Sequence, residues 1–289
     1  MTQHSHQTAP TRYVEAKGIR FAYRRFGKPG VVPLVFNQHF TGTMDNWDPA
    51  VTDGLASSRE VILFDNAGVS SSSGEVPTTC REMGANAVAF IKALGLAQVD
   101  VLGFSIGGFV AQEIALQAPD LVRRLILLGT GPRGGEGMTN FTPEAQEIFG
   151  GTYEEPDHVW LPGFFTPSQA SQAAGRAFLK RFRLRSKDRD PDVNDKVAPA
   201  QSAAIVEWGA PQEKPFEYLQ AIKQPALVVN GSQDVIVYTV NSFILQQHLP
   251  NAQLILYPDS NHGSHNQYPT MFAADVTRFL DAETPFPTA

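Results

Sequence analysis

The sequence contains a single cysteine, Cys80, among 289 residues. One cysteine cannot form an internal disulfide bond, so nothing in the chain requires an oxidising compartment. No uninterrupted apolar run reaches the roughly 18–20 residues that span a bilayer. The first ten residues are polar and lack the apolar core of a signal peptide. We therefore expect a cytoplasmic protein with no membrane partner, and we expect residues 1–10 to form a disordered tail.

Positive charge is also scarce, because 23 lysine and arginine residues face 29 aspartate and glutamate residues, which gives a net charge of −6. The basic residues gather mainly in one short run, residues 180–187. Such a run can bind phosphate, but it is more typical of the solvated face of a helix. An acidic chain with one basic run is a poor candidate for binding nucleic acid, so we expect no nucleic-acid partner.

Six short runs rich in valine, isoleucine and leucine have the composition of β-strands that are buried on both faces. The six runs are residues 31–36, 61–64, 99–102, 125–128, 226–229 and 254–257. Residues 13–15 and 21–24 alternate more between apolar and polar side chains, so we expect them to form an antiparallel hairpin at the sheet edge. Helical patterns separate the six runs. This alternation predicts an α/β fold with a doubly wound, mostly parallel sheet.

The alternation stops between residues 138 and 215, where glycine, proline, glutamine, alanine and aromatic residues predominate. Residues 168–185 and 198–208 have helical patterns, and the next strand begins after Gln224-Pro225. We therefore expect a core made of residues 11–137 and 216–289, with residues 138–215 inserted as a helical cap.

One serine lies in a glycine-rich turn and is the strongest candidate for a catalytic residue. The segment Gly103-Phe104-Ser105-Ile106-Gly107-Gly108 joins a predicted strand to a predicted helix. A serine on such a sharp turn is held exposed, and small residues on either side of it let the sheet and the helix approach closely. The pattern alone occurs often by chance, and the serine could merely cap the helix. Its position between a strand and a helix favours a nucleophile.

Residues 103–113 are similar to the nucleophile segment of the α/β-hydrolase superfamily, in particular to its esterase and lactonase branch with a helical cap. The resemblance extends from about residue 31 to residue 280. The turn at residues 64–70 resembles the family's D-x-R-G-x-G-x-S turn. It differs at Ala67, where arginine is usual, and at Ser70, where glycine is usual. These differences affect the choice of subfamily but not the expected α/β-hydrolase fold.

A serine hydroxyl is a weak nucleophile at neutral pH and needs a base, which in turn needs an acid to orient it. The resemblance implies the chain order serine, acid, histidine. Asp234 and His262 fit this order, and each follows a predicted strand, where ligand sites of open α/β sheets gather. His265 is the alternative base, although Gly263 favours His262. Asp259 is the alternative acid, although its position is more typical of a turn.

An acyl-transfer reaction also needs two N–H donors for the oxyanion that forms. The backbone N–H of Ile106, at the start of the predicted helix, is one candidate. Residues 38–42 resemble the family's H-G-x-x-G loop, with Gln38 and His39 in place of histidine and glycine. By this resemblance the second donor is the N–H of Phe40. His39 either packs beside the site or tunes it.

Together these residues imply a serine hydrolase in which His262 takes the proton of Ser105, which attacks a carbonyl to form an acyl-enzyme. This chemistry needs no metal and no organic cofactor, and the spacing of the histidine, cysteine and acidic residues has no metal-site signature. Other reactions stay open, because the fold also supports carbon–carbon bond hydrolases, hydroxynitrile lyases and perhydrolases. A ligand receptor with vestigial turnover is a further alternative.

The expected partner is a small-molecule substrate bound beneath the cap. The candidates for its pocket are His39, Trp160, Phe164, Phe165 and Trp208. The four cap aromatics form either the cap's own small core or the lining of an apolar pocket. An apolar roof favours a small to medium, largely apolar ester or lactone over a peptide or a sugar.

Overall fold

The apolar runs of the sequence form a single eight-stranded sheet. The computed structural model describes residues 4–283, so residues 1–3 of the expected tail and residues 284–289 of the expected core lie outside the described residues. The strands are β1 (Arg12–Ala16), β2 (Ile19–Gly27), β3 (Leu34–Asn37), β4 (Glu60–Phe64), β5 (Val99–Phe104), β6 (Val122–Leu128), β7 (Ala226–Gly231) and β8 (Ala252–Tyr257).

The strand order is β1-β2-β4-β3-β5-β6-β7-β8. The pairs β1–β2 and β2–β4 are antiparallel, and all other neighbours are parallel. The predicted fold class, including the antiparallel hairpin at the edge, is therefore confirmed. One boundary differs, because β3 begins at Leu34 whereas the apolar run begins at Val31. Proline has no N–H to donate to a sheet, and Pro33 directly precedes this strand.

Helices cover both faces of the sheet and bury its apolar side chains. The helices are α1 (Pro49–Ala56), α2 (Cys80–Ala93), α3 (Ile106–Gln117), α4 (Pro143–Gly150), α5 (Trp160–Phe164), α6 (Gln169–Phe182), α7 (Val197–Gly209), α8 (Val240–His248), α9 (Ser264–Gln267) and α10 (Pro269–Asp281). The first core lies beneath α2, α3 and α8, and the second beneath α1 and α10. Within residues 4–283, no helix is long and apolar enough to cross a bilayer.

The helices α4, α5, α6 and α7 all lie between β6 and β7. The chain leaves the sheet at Leu128 and returns to it at Ala226. Residues 138–215 contain helices, short 3-10 turns and loops, and no strand is present in this fully described segment. We call residues 138–215 the cap.

The segment from residue 4 to residue 10 differs from the disordered tail that the sequence predicted. His6 is only 2% exposed, and its backbone N–H donates to Asp53 of α1 over 2.7 Å. The Arg185 guanidinium donates to the carbonyl oxygens of His6 and Ala9 over 2.7 and 2.9 Å. The segment is held because its polar groups find partners on α1 and on the cap, far away in sequence.

The basic run at residues 180–187 also differs from the expected solvated face. Arg181 forms an ion pair of 2.6 Å with the buried Asp48 of the core. The Arg185 side chain is 3% exposed and lies 3.5 Å from Asp45. Two of the basic side chains therefore hold the cap on the core, because each reaches a carboxylate near the start of the chain.

A buried ion cluster of Arg24, Asp45 and Asp190 joins strand β2 to the cap. The fully buried Arg24 guanidinium pairs with Asp45 and, over 2.8 Å, with Asp190. The two aspartates also accept each other's backbone N–H groups, over 2.7 and 3.0 Å. Charges this deeply buried are tolerated only while each has its partners.

We expect Arg24→Leu to lower the free energy of unfolding by about 3–5 kcal/mol, because it leaves the buried carboxylate of Asp190 without its counter-charge and removes the nearer of the two guanidinium groups at Asp45. The matched control is Arg25→Leu, the next residue of the same strand, whose ion pair with Glu60 is partly exposed. We expect that control to cost at most about 1 kcal/mol. Urea unfolding followed by circular dichroism measures both, and equal losses would contradict the assigned role of the buried ion cluster.

Candidate active site

Ser105 lies at the sharp turn between β5 and α3. Its backbone has φ +58° and ψ −124°, a conformation that side-chain-bearing residues rarely adopt. Two hydrogen bonds hold it there, one to the last residue of β6 and one from the loop that follows β6. The Ser105 N–H donates to the carbonyl oxygen of Leu128 over 2.9 Å, and the Thr130 hydroxyl donates to the Ser105 carbonyl over 2.8 Å.

The glycines around Ser105 are required by close backbone contacts. A methyl group at Gly103 would lie 2.1 Å from the carbonyl oxygen of Gly107. At Gly107 it would lie 2.1 Å from the carbonyl oxygen of Asn37, and at Gly108 it would lie 2.4 Å from the Thr130 hydroxyl. No larger residue fits at these three positions without moving the helix or the sheet.

Asp234 and His262 form a hydrogen-bonded pair at the carboxyl ends of β7 and β8. Nδ1 of His262 lies 2.8 Å from one carboxylate oxygen of Asp234, and both side chains are buried. The other oxygen of Asp234 accepts the backbone N–H groups of Ile236 and Val237, over 2.9 and 3.0 Å. Because its oxygens have fixed partners, the carboxylate holds the imidazole ring in one orientation.

Asn261 connects the two loops that carry this pair, a role that sequence reasoning missed. Its side-chain oxygen accepts the N–H of Val235 over 2.9 Å and that of His262 over 2.8 Å. Its side-chain nitrogen donates to the carbonyl oxygen of Pro162 in the cap over 3.0 Å. The sequence signalled this residue only by its position next to the histidine.

The alternative acid, Asp259, faces the cap. Its two carboxylate oxygens each accept a hydroxyl hydrogen bond of 2.6 Å, one from Ser168 and one from Thr166. These hydroxyl groups lower the pKa of Asp259. The structure therefore brings Asp234, not Asp259, to His262.

The alternative base, His265, lies in α9 and packs against aromatic rings. Its ring centroid is 4.5 Å from that of Phe104 and 5.8 Å from that of Phe272. Burial lowers the pKa of His265 well below its usual value, so the ring is neutral. No hydrogen bond joins His265 to Asp234 within the described chain.

One predicted oxyanion donor, Ile106, directly follows Ser105, and the other, Phe40, lines the same cavity as Ser105. Ile106 is the first residue of α3, so its N–H has no acceptor within the helix. Among residues 4–283, the backbone N–H of Phe40 has no hydrogen-bond acceptor. Both N–H groups are therefore free to serve a ligand.

His39 forms part of the cavity wall. Its Nδ1 lies 2.9 Å from the carbonyl oxygen of Phe40, and since a carbonyl can only accept, this nitrogen carries a proton. Burial lowers the pKa of His39 to about 4, so the ring is neutral near pH 7. The ring packs edge-on against Trp160 and Phe164 of the cap, with centroid distances of 4.9 and 5.6 Å.

The cavity above Ser105 has a volume of about 640 Å³, counted with its open mouth. Ser105 and His262 both line it, and most of the remaining lining is apolar. The aromatic lining consists of Phe40, Phe109, Phe141, Phe149, Trp160, Phe164 and Tyr238. Among the lining residues found in the described chain, Glu136 is the one carboxylate, and none is lysine or arginine.

Two of the predicted pocket residues do not line this cavity. Phe165 packs against Phe178 in the core of the cap, and Trp208 stacks on Phe109 with a centroid distance of 5.1 Å. The sequence showed that the cap is aromatic but not which face of each helix points to the core. Conversely, residues 236–238 line the cavity and were missed, although they closely follow the acid in sequence.

Comparison with known proteins gives matches along most of the chain. A family model described as the alpha/beta hydrolase fold matches residues 32–269. The solved structure of an alpha/beta hydrolase fold protein from Chitinophaga pinensis is 43% identical, with a TM-score of 0.91 over 96% of this chain and 100% of that chain.

Two further relatives have names that state an activity. A solved structure described as an N-acyl homoserine lactone degrading enzyme is 25% identical, with a TM-score of 0.71 over 93% of this chain and 100% of that chain. A poly(3-hydroxyalkanoate) depolymerase from Ectopseudomonas oleovorans is 26% identical over 264 residues, which cover 86% of this chain and 84% of the relative.

We expect Asp234→Asn to lower kcat toward a p-nitrophenyl ester by about 10³- to 10⁴-fold, because an amide stabilises the wrong imidazole tautomer. The matched control is Asp259→Asn, which changes the alternative acid and should leave kcat within about threefold. Steady-state kinetics at pH 7 measures both variants. If Asp259→Asn caused the larger loss, Asp234 would not be the orienting acid.

Proposed function

Because the chain belongs to the α/β-hydrolase family, we propose that it is a serine hydrolase that cleaves a small to medium, largely apolar ester or lactone. The observation that carries this proposal is that Ser105 and His262 line one cavity while His262 is hydrogen-bonded to Asp234. Ser105, Asp234 and His262 take the roles of nucleophile, orienting acid and base that this chemistry needs, and they follow the chain order of the family.

In the proposed first step, the Ser105 hydroxyl oxygen attacks the carbonyl carbon of the substrate. Nδ1 of His262 donates to Asp234, which leaves Nε2 to take the serine proton. The oxyanion accepts hydrogen bonds from the N–H groups of Phe40 and Ile106. When the tetrahedral intermediate collapses, His262 returns the proton to the leaving oxygen, and the acyl group stays on Ser105.

The second step reverses the first with water as the nucleophile. His262 takes a proton from water, the hydroxide attacks the acyl carbonyl, and the same two N–H groups hold the second oxyanion. Collapse releases the carboxylic acid, and His262 returns the proton to Ser105. A lactone is an internal ester, so the same steps open its ring and release one hydroxy acid.

The lining of the cavity supports an uncharged acyl group. A carboxylate on the acyl chain would lose its hydration there without finding a lysine or arginine among the lining residues. Glu136, at the exposed side of the cavity, would repel it further. The names of two relatives, an N-acyl homoserine lactone degrading enzyme and a poly(3-hydroxyalkanoate) depolymerase, are consistent with an ester-type bond as the target.

The direct test is the hydrolysis of p-nitrophenyl esters from acetyl to decanoyl by the wild type and by Ser105→Ala. We expect the substitution to lower turnover by about 10⁴-fold or more, because the nucleophile is lost. The chain-length optimum measures the size of the cavity. Ser57→Ala, an exposed serine at the end of α1, is the control. A folded wild type no faster than Ser105→Ala would overturn the proposed function.

Charge selection is tested with two acyl chains of equal length, p-nitrophenyl hexanoate and the mono-p-nitrophenyl ester of adipic acid. We expect kcat/KM to favour the uncharged ester by about 100-fold, since an unpaired carboxylate costs several kcal/mol to bury. The rate of each ester with hydroxide corrects for intrinsic reactivity. Equal kcat/KM values would contradict the uncharged acyl group while leaving the serine mechanism intact.

A further inference from the structure

One buried side chain of the cap, that of Gln201, forms a hydrogen bond with the loop of residues 38–42, which we call the oxyanion loop. Gln201 lies on α7 and is 7% exposed. Its side-chain oxygen accepts the backbone N–H of Thr41 over 2.6 Å, across 160 positions of sequence. Thr41 directly follows Phe40, the proposed oxyanion donor. This bond therefore joins the cap to the loop that would hold the negative charge of the oxyanion.

The backbone of Thr41 needs such support. Its φ is +55°, in the left-handed region that β-branched residues rarely adopt. Without an anchor on its N–H, the loop would be free to relax toward a commoner conformation. The compact loop also requires Gly42, where a methyl group would lie 2.3 Å from the Gln38 side chain.

The peptide group between Phe40 and Thr41 is held at both ends. Its carbonyl oxygen accepts a hydrogen bond from Nδ1 of His39 over 2.9 Å, and its N–H donates to Gln201. A peptide group is planar, so two bonds on opposite sides fix its orientation. The orientation of this plane limits the backbone of Phe40, and with it the direction of the Phe40 N–H.

We infer that Gln201 is a positioning residue that aims the Phe40 N–H at the oxyanion by anchoring the following peptide group from the cap. This inference rests on the proposed function, since it assumes an oxyanion at Phe40. Ile205, one turn further along α7, lines the substrate cavity. Helix α7 therefore lines the substrate cavity and also orients the oxyanion donor. The position of the cap on the core and the stabilisation of the transition state are linked for this reason.

The test compares Gln201→Met, which keeps the approximate shape but removes the acceptor, with Gln201→Glu, which keeps an acceptor oxygen. We expect Gln201→Met to lower kcat by about 10- to 100-fold with KM within about threefold, because an oxyanion contact forms fully only in the transition state. We expect Gln201→Glu to recover most of this loss. Val206→Ala, an exposed site on the same helix, is the control for α7.

A second measurement separates positioning from folding. An alkyl trifluoromethyl ketone forms an adduct with serine whose oxyanion mimics the transition state, so its inhibition constant reports the oxyanion contacts directly. We expect this constant to rise in Gln201→Met by the factor by which kcat/KM falls, while the thermal unfolding temperature matches that of Val206→Ala.

Unchanged kcat and an unchanged inhibition constant in Gln201→Met would overturn the inference. A loss of unfolding temperature with no change in either constant would also overturn it, because Gln201 would then be only structural. Both results leave the proposed function standing as long as wild-type turnover depends on Ser105. A wild type without Ser105-dependent turnover removes the proposed function and this inference together.

Discussion

The close approach of α3 to the sheet is the constraint on which the rest of the site depends. Gly103, Gly107 and Gly108 meet backbone or side-chain atoms at distances that leave no room for a methyl group. At this separation the chain can pass from β5 to α3 only through a tight turn, and Ser105 takes the positive φ that the turn requires. The strain is local, and it places the serine at the floor of the cavity and Ile106 at the start of a helix.

The other residues of the site come from separate parts of the chain. Asp234 and His262 come from the ends of β7 and β8, and Asn261 joins their loops to the cap. The cap is in turn held on the core by buried charge, with Arg24 paired to Asp190. The proposed chemistry therefore relies on a cap that is seated on the core, and not on the turn alone.

The sequence predicted the features that depend on neighbours along the chain. The strands followed from apolar runs, and the placement of Ser105 followed from a glycine pattern that lies directly between a predicted strand and a predicted helix. The features that it did not predict depend on distant partners. Arg185 belongs to a basic run that looks solvated, yet it is buried because the carbonyl groups of His6 and Ala9 lie against it. The inward direction of Trp208 and the bond between Gln201 and Thr41 are likewise set by tertiary packing.

The role proposed for Ser105 is to form a covalent intermediate after activation by His262. Its most direct test is the reaction of the wild type with diethyl p-nitrophenyl phosphate, which leaves a stable phosphoryl group on an activated serine. We expect release of p-nitrophenol in a 1:1 ratio to protein, with the added mass on the peptide that contains Ser105, and no release from Ser105→Ala. A fully active wild type that remained unmodified, or that carried the group on another residue, would show that Ser105 is not the nucleophile.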